Sequence, residues 1–243
     1  MIGGGWSGCA AALTARKAGA EVLLLEKTDL LLGLGNVGGI MRNNGRFTAA
    51  EENIAMGAGD VFRITDSCYR HLNIDFTGHT HASLYDVTLV EPHVRRLLRE
   101  KGVDLRFMAR AVDVTVRKND RETVIEKIML AGGEEIEGDV FVEATGSTGP
   151  MGNCLTYGNG CCMCILRCPA FGPRVSISAK AGASDIMGKR KDGSFGSFSG
   201  SGKLEKRSRT EAIPQALNEP GVAGLPPPEK AIKPAPHHMK VCR

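Results

Sequence analysis

Aromatic side chains are scarce in this chain, at 5% of residues with a single tryptophan. That leaves no aromatic-rich platform on which nucleic-acid bases could stack. Charge of one sign is also weak: the formal net charge is +4 over 243 residues. So small an excess does not by itself argue for a nucleic-acid partner. No apolar stretch approaches the ~20 residues that cross a bilayer, so no membrane partner is expected. The N-terminus lacks a charged leader followed by a cleavable apolar segment. The expected location is therefore cytoplasmic, with thiols reduced, bound to metal or engaged in redox chemistry. No internal repeat is present. At this length the chain can bury a sizeable core without disulfides.

Glycine and cysteine are abundant, and both cluster. There are 31 glycines and eight cysteines. Five of the cysteines, Cys154, Cys161, Cys162, Cys164 and Cys168, fall in one short segment. Clustered glycine marks tight turns and close backbone approach.

The order of elements points to an α/β protein. Residues 1–3 read as the tail of a strand. Residues 6–18 are alanine-rich and free of proline, a helix that Gly19 ends. Glu21 to Glu26 (EVLLLE) is a short apolar run, as in a buried parallel strand. Together these make a βαβ unit. Leu30 to Gly45 should hold little regular structure, and a short helix is expected over 46–61. Glu91 to Lys101 reads as an amphipathic helix with Pro92 near its first turn and Gly102 after its end. Val103 to Phe107 is a strand. Alternation over 111–130 about a polar KNDRE predicts a hairpin or meander. DVFVEATG, 139–146, reads as a buried strand ending in a glycine turn. Beyond Pro150 come the cysteine cluster, a Gly/Ser/Lys-rich stretch over 188–209 and a Pro-rich tail.

Gly3, Gly5 and Gly8 fit G-x-G-x-x-G between a strand residue and a helix, and Glu26 closes the next strand. The first glycine permits the tight turn, the second lets backbone approach a pyrophosphate, and the third lets helix and strand pack closely. Free amides at the helix N-terminus suit phosphate oxygens. Glu26 would accept hydrogen bonds from a ribose hydroxyl, which disfavours a 2′-phosphate.

GGGWSG followed by EK, with a later strand ending in ATG, resembles the two-part fingerprint of FAD-dependent oxidoreductases of the two-dinucleotide-binding-domain, glutathione-reductase-like class. NGCCMCILRCPAFGPRVSIS and VGGIMRNNGRFTA resemble its FAD_oxidored-like branch, related to flavin subunits of heterodisulfide reductase. The resemblance covers residues 1–210. It implies a three-layer, Rossmann-like FAD-binding domain at 1–150 with a parallel sheet and a β-meander crossover at about 111–137. A Cys- and Gly-rich start of a substrate or redox region (151–210) and a Pro-rich tail (211–243) would follow. In this class the ATG strand returns beside the first strand. By the same resemblance Gly3, Gly5, Trp6, Ser7, Gly8, Glu26 and Lys27 would bind the ADP half of FAD. Gly38, Gly39 and Arg42 would approach its pyrophosphate or isoalloxazine. Val112 would read the adenine, and Ala144, Thr145 and Gly146 would pass near the nucleotide. The implied activity is hydride or electron transfer through the flavin to an unknown substrate.

Cys161-x-x-Cys164-x-x-x-Cys168-Pro169 resembles the end of a bacterial ferredoxin motif. The upstream position that should hold another cysteine, 158, is glycine. Three readings stand: a [4Fe–4S] cluster on Cys161, Cys164 and Cys168 completed by Cys154 or by another chain, a redox thiol pair using Cys164 with Cys161 or Cys168, or reduced cysteines packed near the cofactor. Cys164 and Cys168 are the catalytic candidates. His79 and His81 have strand spacing that would put two imidazoles on one face, without an evident third ligand. The basic run Lys189–Arg209 reads as a solvated loop or as an RNA-phosphate contact.

The class normally carries a second FAD-binding element near its C-terminus, and no convincing Gly-Asp of that kind follows residue 193. Only Met1 and Ile2 precede the glycines. The expectation is a split flavoprotein completed by another subunit or a second copy, or else an incomplete reading frame. Either predicts exposed apolar surface where the remainder belongs. Other expected partners are a small-molecule or protein redox partner. The rivals to an FAD oxidoreductase are a tRNA-modifying flavoprotein and a non-catalytic FAD-fold subunit.

Overall fold

The computed structural model describes residues 1–36, 54–76, 79–146, 171–183, 188–189 and 195–196. The chain opens on Met1–Gly3, which is hydrogen-bonded on both sides. Leu25 N donates to Met1 O at 2.9 Å and Gly3 N to Leu25 O at 2.8 Å. On the other flank Ile2 N donates to Val142 O at 2.9 Å and Ala144 N to Ile2 O at 2.8 Å. Ile2 thus bridges Leu25 and Glu143, both in parallel. Strand β1 (Leu23–Leu25) pairs in parallel with β4 (Asp104–Arg106). The sheet therefore runs β4, β1, the Ile2 segment, then the Glu143 segment. The ATG strand does return beside the first strand.

Helix α1 (Trp6–Lys17) joins the Ile2 segment to β1. Gly19, at φ +90°, closes the turn after it. Side chains of the strands then alternate between two layers. Leu24 points to a core with Cys9, Ala12 and Leu13 of α1, with α2 (Gly59–Ser67) through Val61, and with α3 (Val87–Glu100) through Val90, Val94 and Leu98. Ile2 and Leu25 point to the opposite face, against Ala111, Ile128 and Leu130. Those residues belong to an antiparallel meander of β5 (Ala111–Lys118), β6 (Thr123–Leu130) and β7 (Glu135–Glu137). Helices, parallel sheet and meander make the three layers expected of a Rossmann-like FAD-binding fold.

Four local expectations are corrected. Within 46–61 the described structure is a π-helical turn, Ile54–Ala58, that leads into α2, so helix continues to Ser67. Gly33–Gly35 forms a short 3-10 turn inside the stretch expected to be irregular. Helix α3 starts four residues earlier than expected because Asp86 caps it, accepting from Thr88 N at 2.8 Å. Pro92 consequently lies inside the helix rather than in its first turn. Finally, DVFVEATG is not a buried strand: Val140 is 75% exposed and Val142 39% exposed. Between α2 and α3 lies a hairpin that the sequence reading did not anticipate, β2 (Tyr69–Phe76) with β3 (His79–Tyr85). A single helical turn, α4 (Ile177–Lys180), docks on the meander side through Ile177. No helix among the described residues is long and apolar enough to cross a membrane.

Candidate nucleotide site

Three pieces of sequence meet at the C-terminal edge of the parallel strands. The first is the glycine turn. Gly3 adopts φ +99°, which a side chain would strain. A Cβ there would also overlap the Ala144 carbonyl and lie 3.1 Å from Thr145 Cα. Gly8 sits in the first turns of α1, where a Cβ would overlap the Gly3 carbonyl oxygen and reach Ala144 Cβ at 3.3 Å. The turn, the helix and the ATG corner are therefore in mutual contact, and the contact exists only because both positions lack a side chain.

The second piece is Glu26, only 6% exposed. Its Oε2 accepts from Gly4 N and its Oε1 from Thr28 N, each at 2.8 Å. A buried carboxylate needs such donors. Here they tie the end of β1 directly to the glycine turn. The neighbouring Lys27 donates from Nζ to Gly172 O at 2.9 Å.

The third piece is the corner Ala144–Thr145–Gly146, with Gly146 at φ +97°. Thr145 Oγ1 donates to Glu143 Oε1 at 2.7 Å and accepts from Arg174 Nε at 2.9 Å. Val112 lies in β5. Gly38, Gly39 and Arg42 lie outside the described residues. So do Cys154, Cys161, Cys162, Cys164 and Cys168, and most of the basic run. His79 and His81 lie in β3, and their side chains lie outside the described ones.

FAD suits this corner by three observations. A Cβ on Gly5 would meet nothing within 4 Å among the described residues, so there is open room where a pyrophosphate would approach. Helix α1 starts with no side-chain cap and no acidic residue in its first turn. Its first turn thus carries no carboxylate of its own at the positive dipole end. Each oxygen of Glu26 accepts one backbone bond and retains a second lone pair.

Trp6 is held in place beside this turn. Its ring stacks on Phe62 at 5.9 Å and meets Tyr85 edge-on at 5.6 Å. Burial drives the Tyr85 hydroxyl up to about 12, with a hydrogen bond from Trp6 opposing. Burial likewise pushes the Cys9 thiol up to about 12, and its Sγ contacts Gly4 O at 3.3 Å. Cys9 is thus a packed, protonated thiol under the turn and no nucleophile.

Two carboxylates, Glu91 buried and Glu143 partly buried, escaped the sequence reading. Glu91, 3% exposed, accepts from Leu31 N at 3.2 Å and from Arg95 Nε at 2.9 Å. It pins α3 to the loop that follows β1, while Arg95 stacks 4.2 Å over Phe107. Glu143 accepts from Thr145, Arg174, Ser176 and Ser178. The signal for Glu143 was present: one acid inside an otherwise apolar run. Apart from Thr145, its partners are more than thirty residues away in sequence, and nothing local announces them.

A parallel sheet with a helical layer on one face, a meander on the other and a glycine turn at its C-terminal edge defines a Rossmann-type nucleotide-binding protein. A family model described as glucose inhibited division protein A matches residues 1–235. The chain belongs to that family, whose members are FAD-binding proteins of Rossmann type. No curated protein matches by sequence. Among solved structures, Thermovibrio ammonificans THI4 is similar at 17% identity and a TM-score of 0.38, over 53% of this chain and 45% of that one. CtdE in complex with FAD is similar at 18% identity and a TM-score of 0.40, over 63% of this chain and 39% of that one. FqzB is similar at 15% identity and a TM-score of 0.43, over 65% and 38%. The chain spans less than half the length of each of these proteins.

Proposed function

We propose that this chain binds FAD at the glycine corner and serves as an FAD-dependent oxidoreductase or as the flavin-binding part of one. The observation that carries the reading is the meeting of the Gly3–Gly8 turn, Glu26 and the Ala144–Gly146 corner at one sheet edge, in a chain of a flavoprotein family. When bound, FAD supplies hydride and electron transfer at its isoalloxazine. The residues of this chain do the holding. The α1 N-terminus and Gly5 face the pyrophosphate, and Glu26 takes a ribose hydroxyl. Lys27 and Val112 flank the adenosine. Gly38, Gly39 and Arg42 would approach the pyrophosphate or the isoalloxazine. Kinship with the heterodisulfide-reductase branch, a cytoplasmic setting and completion by another subunit or a second copy belong to the same proposal. So does a small-molecule or protein redox partner. A cluster or thiol pair on Cys161, Cys164 and Cys168 belongs to it too.

Titration of the purified chain with FAD tests the reading. At a hundredfold excess over Kd the ligand should stabilise the fold by about 2.7 kcal/mol, a rise in Tm of roughly 5–11 °C. Retained flavin absorbance should accompany it, and a broad iron–sulfur shoulder would report the cysteines. Neither flavin absorbance nor protection from unfolding would defeat the proposal. A second reading, a tRNA-modifying flavoprotein, is favoured by the basic run Lys189–Arg209. It requires tRNA binding that weakens with salt. Full flavin occupancy with turnover of an artificial electron acceptor excludes a non-catalytic subunit.

A further inference from the structure

We infer that Glu143 is the positioning residue of the nucleotide corner, holding Thr145 and the α4 segment in one hydrogen-bonded ring beside the glycine turn. The inference rests on the flavin reading above for its ligand, and on the corner's own geometry for its mechanics. Beyond Ala144 N, which bonds Ile2 O at 2.8 Å, the hold on the corner among the described residues passes to side chains. Glu143 Oε1 accepts from Thr145 Oγ1 at 2.7 Å and Arg174 Nη2 at 3.0 Å. Its Oε2 accepts from Ser176 Oγ at 3.0 Å, from Ser178 N at 2.8 Å and from Ser178 Oγ. Arg174 Nε returns to Thr145 Oγ1 at 2.9 Å, which closes the ring. Glu143 and Arg174 are 13% and 14% exposed at their side chains, so the pair is shielded from water on most sides.

This ring does more than staple α4 to the sheet. The Thr145 hydroxyl spends its proton on Glu143 and a lone pair on Arg174. Its side chain is therefore locked in one rotamer and cannot turn to donate to a ligand. What the corner presents is backbone, and that backbone is the surface against which Gly3 is fitted without a Cβ. Moving Thr145 moves the wall of the glycine turn. Burial opposes ionisation of Glu143, but hydrogen bonds from Ser178, Thr145 and Ser176 outweigh it and hold the carboxyl below its ordinary value. The charged form is thus the one the ring selects.

The test uses the full chain with Glu143→Gln, Arg174→Met and, as a control outside the ring, Asp113→Asn, which removes the charge facing Lys180 and keeps an oxygen for Val114 N. Amide hydrogen exchange without FAD should quicken at least tenfold at Gly3 and Ala144 in the first two variants. The amides of α3 around Val94 and Leu98 should stay protected, which separates loosening of the corner from general destabilisation. FAD Kd should rise about tenfold in the same variants and stay within twofold in Asp113→Asn. Unchanged exchange at Gly3 and Ala144, or wild-type FAD affinity, in Glu143→Gln and Arg174→Met would overturn the inference. If Glu143→Gln does not fold, Arg174→Met alone decides it by the same readings. A wild-type chain that binds no FAD would defeat the flavin reading instead, while the exchange data still judge the hold on the corner.

Discussion

Adding one methyl group at Gly8 and one at Gly5 should have opposite consequences, and the pair separates fold from ligand. In Gly8→Ala the new Cβ would overlap the Gly3 carbonyl oxygen and stand 3.0 Å from Gly3 C and 3.3 Å from Ala144 Cβ. Two of these obstacles are backbone, so no side chain can swing away. Helix α1 must retreat, carrying with it Cys9, Ala12 and Leu13, which are 0%, 0% and 1% exposed. Alanine in a helix is favoured over glycine by about 1 kcal/mol. Overpacking costs about 1–3 kcal/mol, and rigid backbone puts this site at the upper end. The net is a loss of about 2 kcal/mol, or a fall in Tm of roughly 4–8 °C for a chain of this size. In Gly5→Ala the backbone, at φ −69° and ψ −177°, suits any residue, and the methyl meets nothing within 4 Å among the described residues. Its Tm should stay within about 2 °C of wild type. FAD Kd should rise at least tenfold, because the methyl fills the room left for the pyrophosphate. Thermal melting by circular dichroism and flavin titration read both effects. A Gly8→Ala chain as stable as wild type would refute the packing argument. Unaltered FAD affinity in Gly5→Ala would show that the open space above the turn is not where the ligand lies.

Glu26→Ala leaves two buried backbone donors unpaired, at about 1–3 kcal/mol each, so the denaturation midpoint should fall by the equivalent of about 2–6 kcal/mol. Glu26→Gln keeps one acceptor and should lose roughly half as much; a wild-type midpoint in Glu26→Ala would contradict the buried bonding. A Cβ at Gly35 would overlap Trp6 Nε1 and lie 2.7 Å from Tyr85 Oη. Because Trp6 is the chain's one tryptophan, Gly35→Ala should shift its emission to the red, and an unchanged spectrum would place the indole elsewhere. Cys9 titrates at an ordinary 9.0 when unfolded and at about 12 in the fold. Its contribution is whole below pH 9 and declines by about 1.4 kcal/mol per pH unit as pH climbs towards 12, since only the unfolded thiol then releases its proton. Tyr85 adds to the decline above pH 10. Stability measured against pH should drop more gently in Cys9→Ala, and equal slopes would argue against burial of the thiol.

What the sequence disclosed, it disclosed through short-range rules. The βαβ unit was legible because Leu23–Leu25 is too short and too apolar to be anything but a buried strand, and because α1 is made of alanines between glycines. The meander was legible because Val112, Val114 and Val116 alternate with polar residues and Asn119–Glu122 supplies the turn. The hairpin of β2 and β3 stayed hidden because its strands mix His, Arg, Asn and Asp with apolar residues. In β2 Tyr69, Leu72 and Ile74 are 52%, 42% and 43% exposed, so its described apolar residues mark no buried face that sets a period. The start of α3 was misplaced for a related reason. Pro92 drew the boundary to itself, although the capping Asp86 lay six residues upstream. The expectation for DVFVEATG failed because apolar content was read as burial, while the Glu143 segment has a parallel neighbour in Ile2 and exposes Val140 and Val142.

A motif split by more than a hundred residues comes together at one sheet edge. Parallel strands that share a sheet end at the same edge, whatever their separation in the chain. Three successive parallel neighbours, β1, the Ile2 segment and the Glu143 segment, each break at that edge: at Glu26, at Gly3 and at Ala144. A carboxylate stands at two of the three breaks. Glu26 fastens the turn to β1, and Glu143 fastens the corner to the 171–183 segment. Backbone amides meet the carboxylate of Glu26, and serines with Arg174 meet that of Glu143. The N-terminus of α1, which has no side-chain cap, adds a positive dipole end at that edge. A sheet edge anchored to itself by two acids, each held by donors of the same chain, is the physical content of the glycine, glutamate and ATG pattern in this chain.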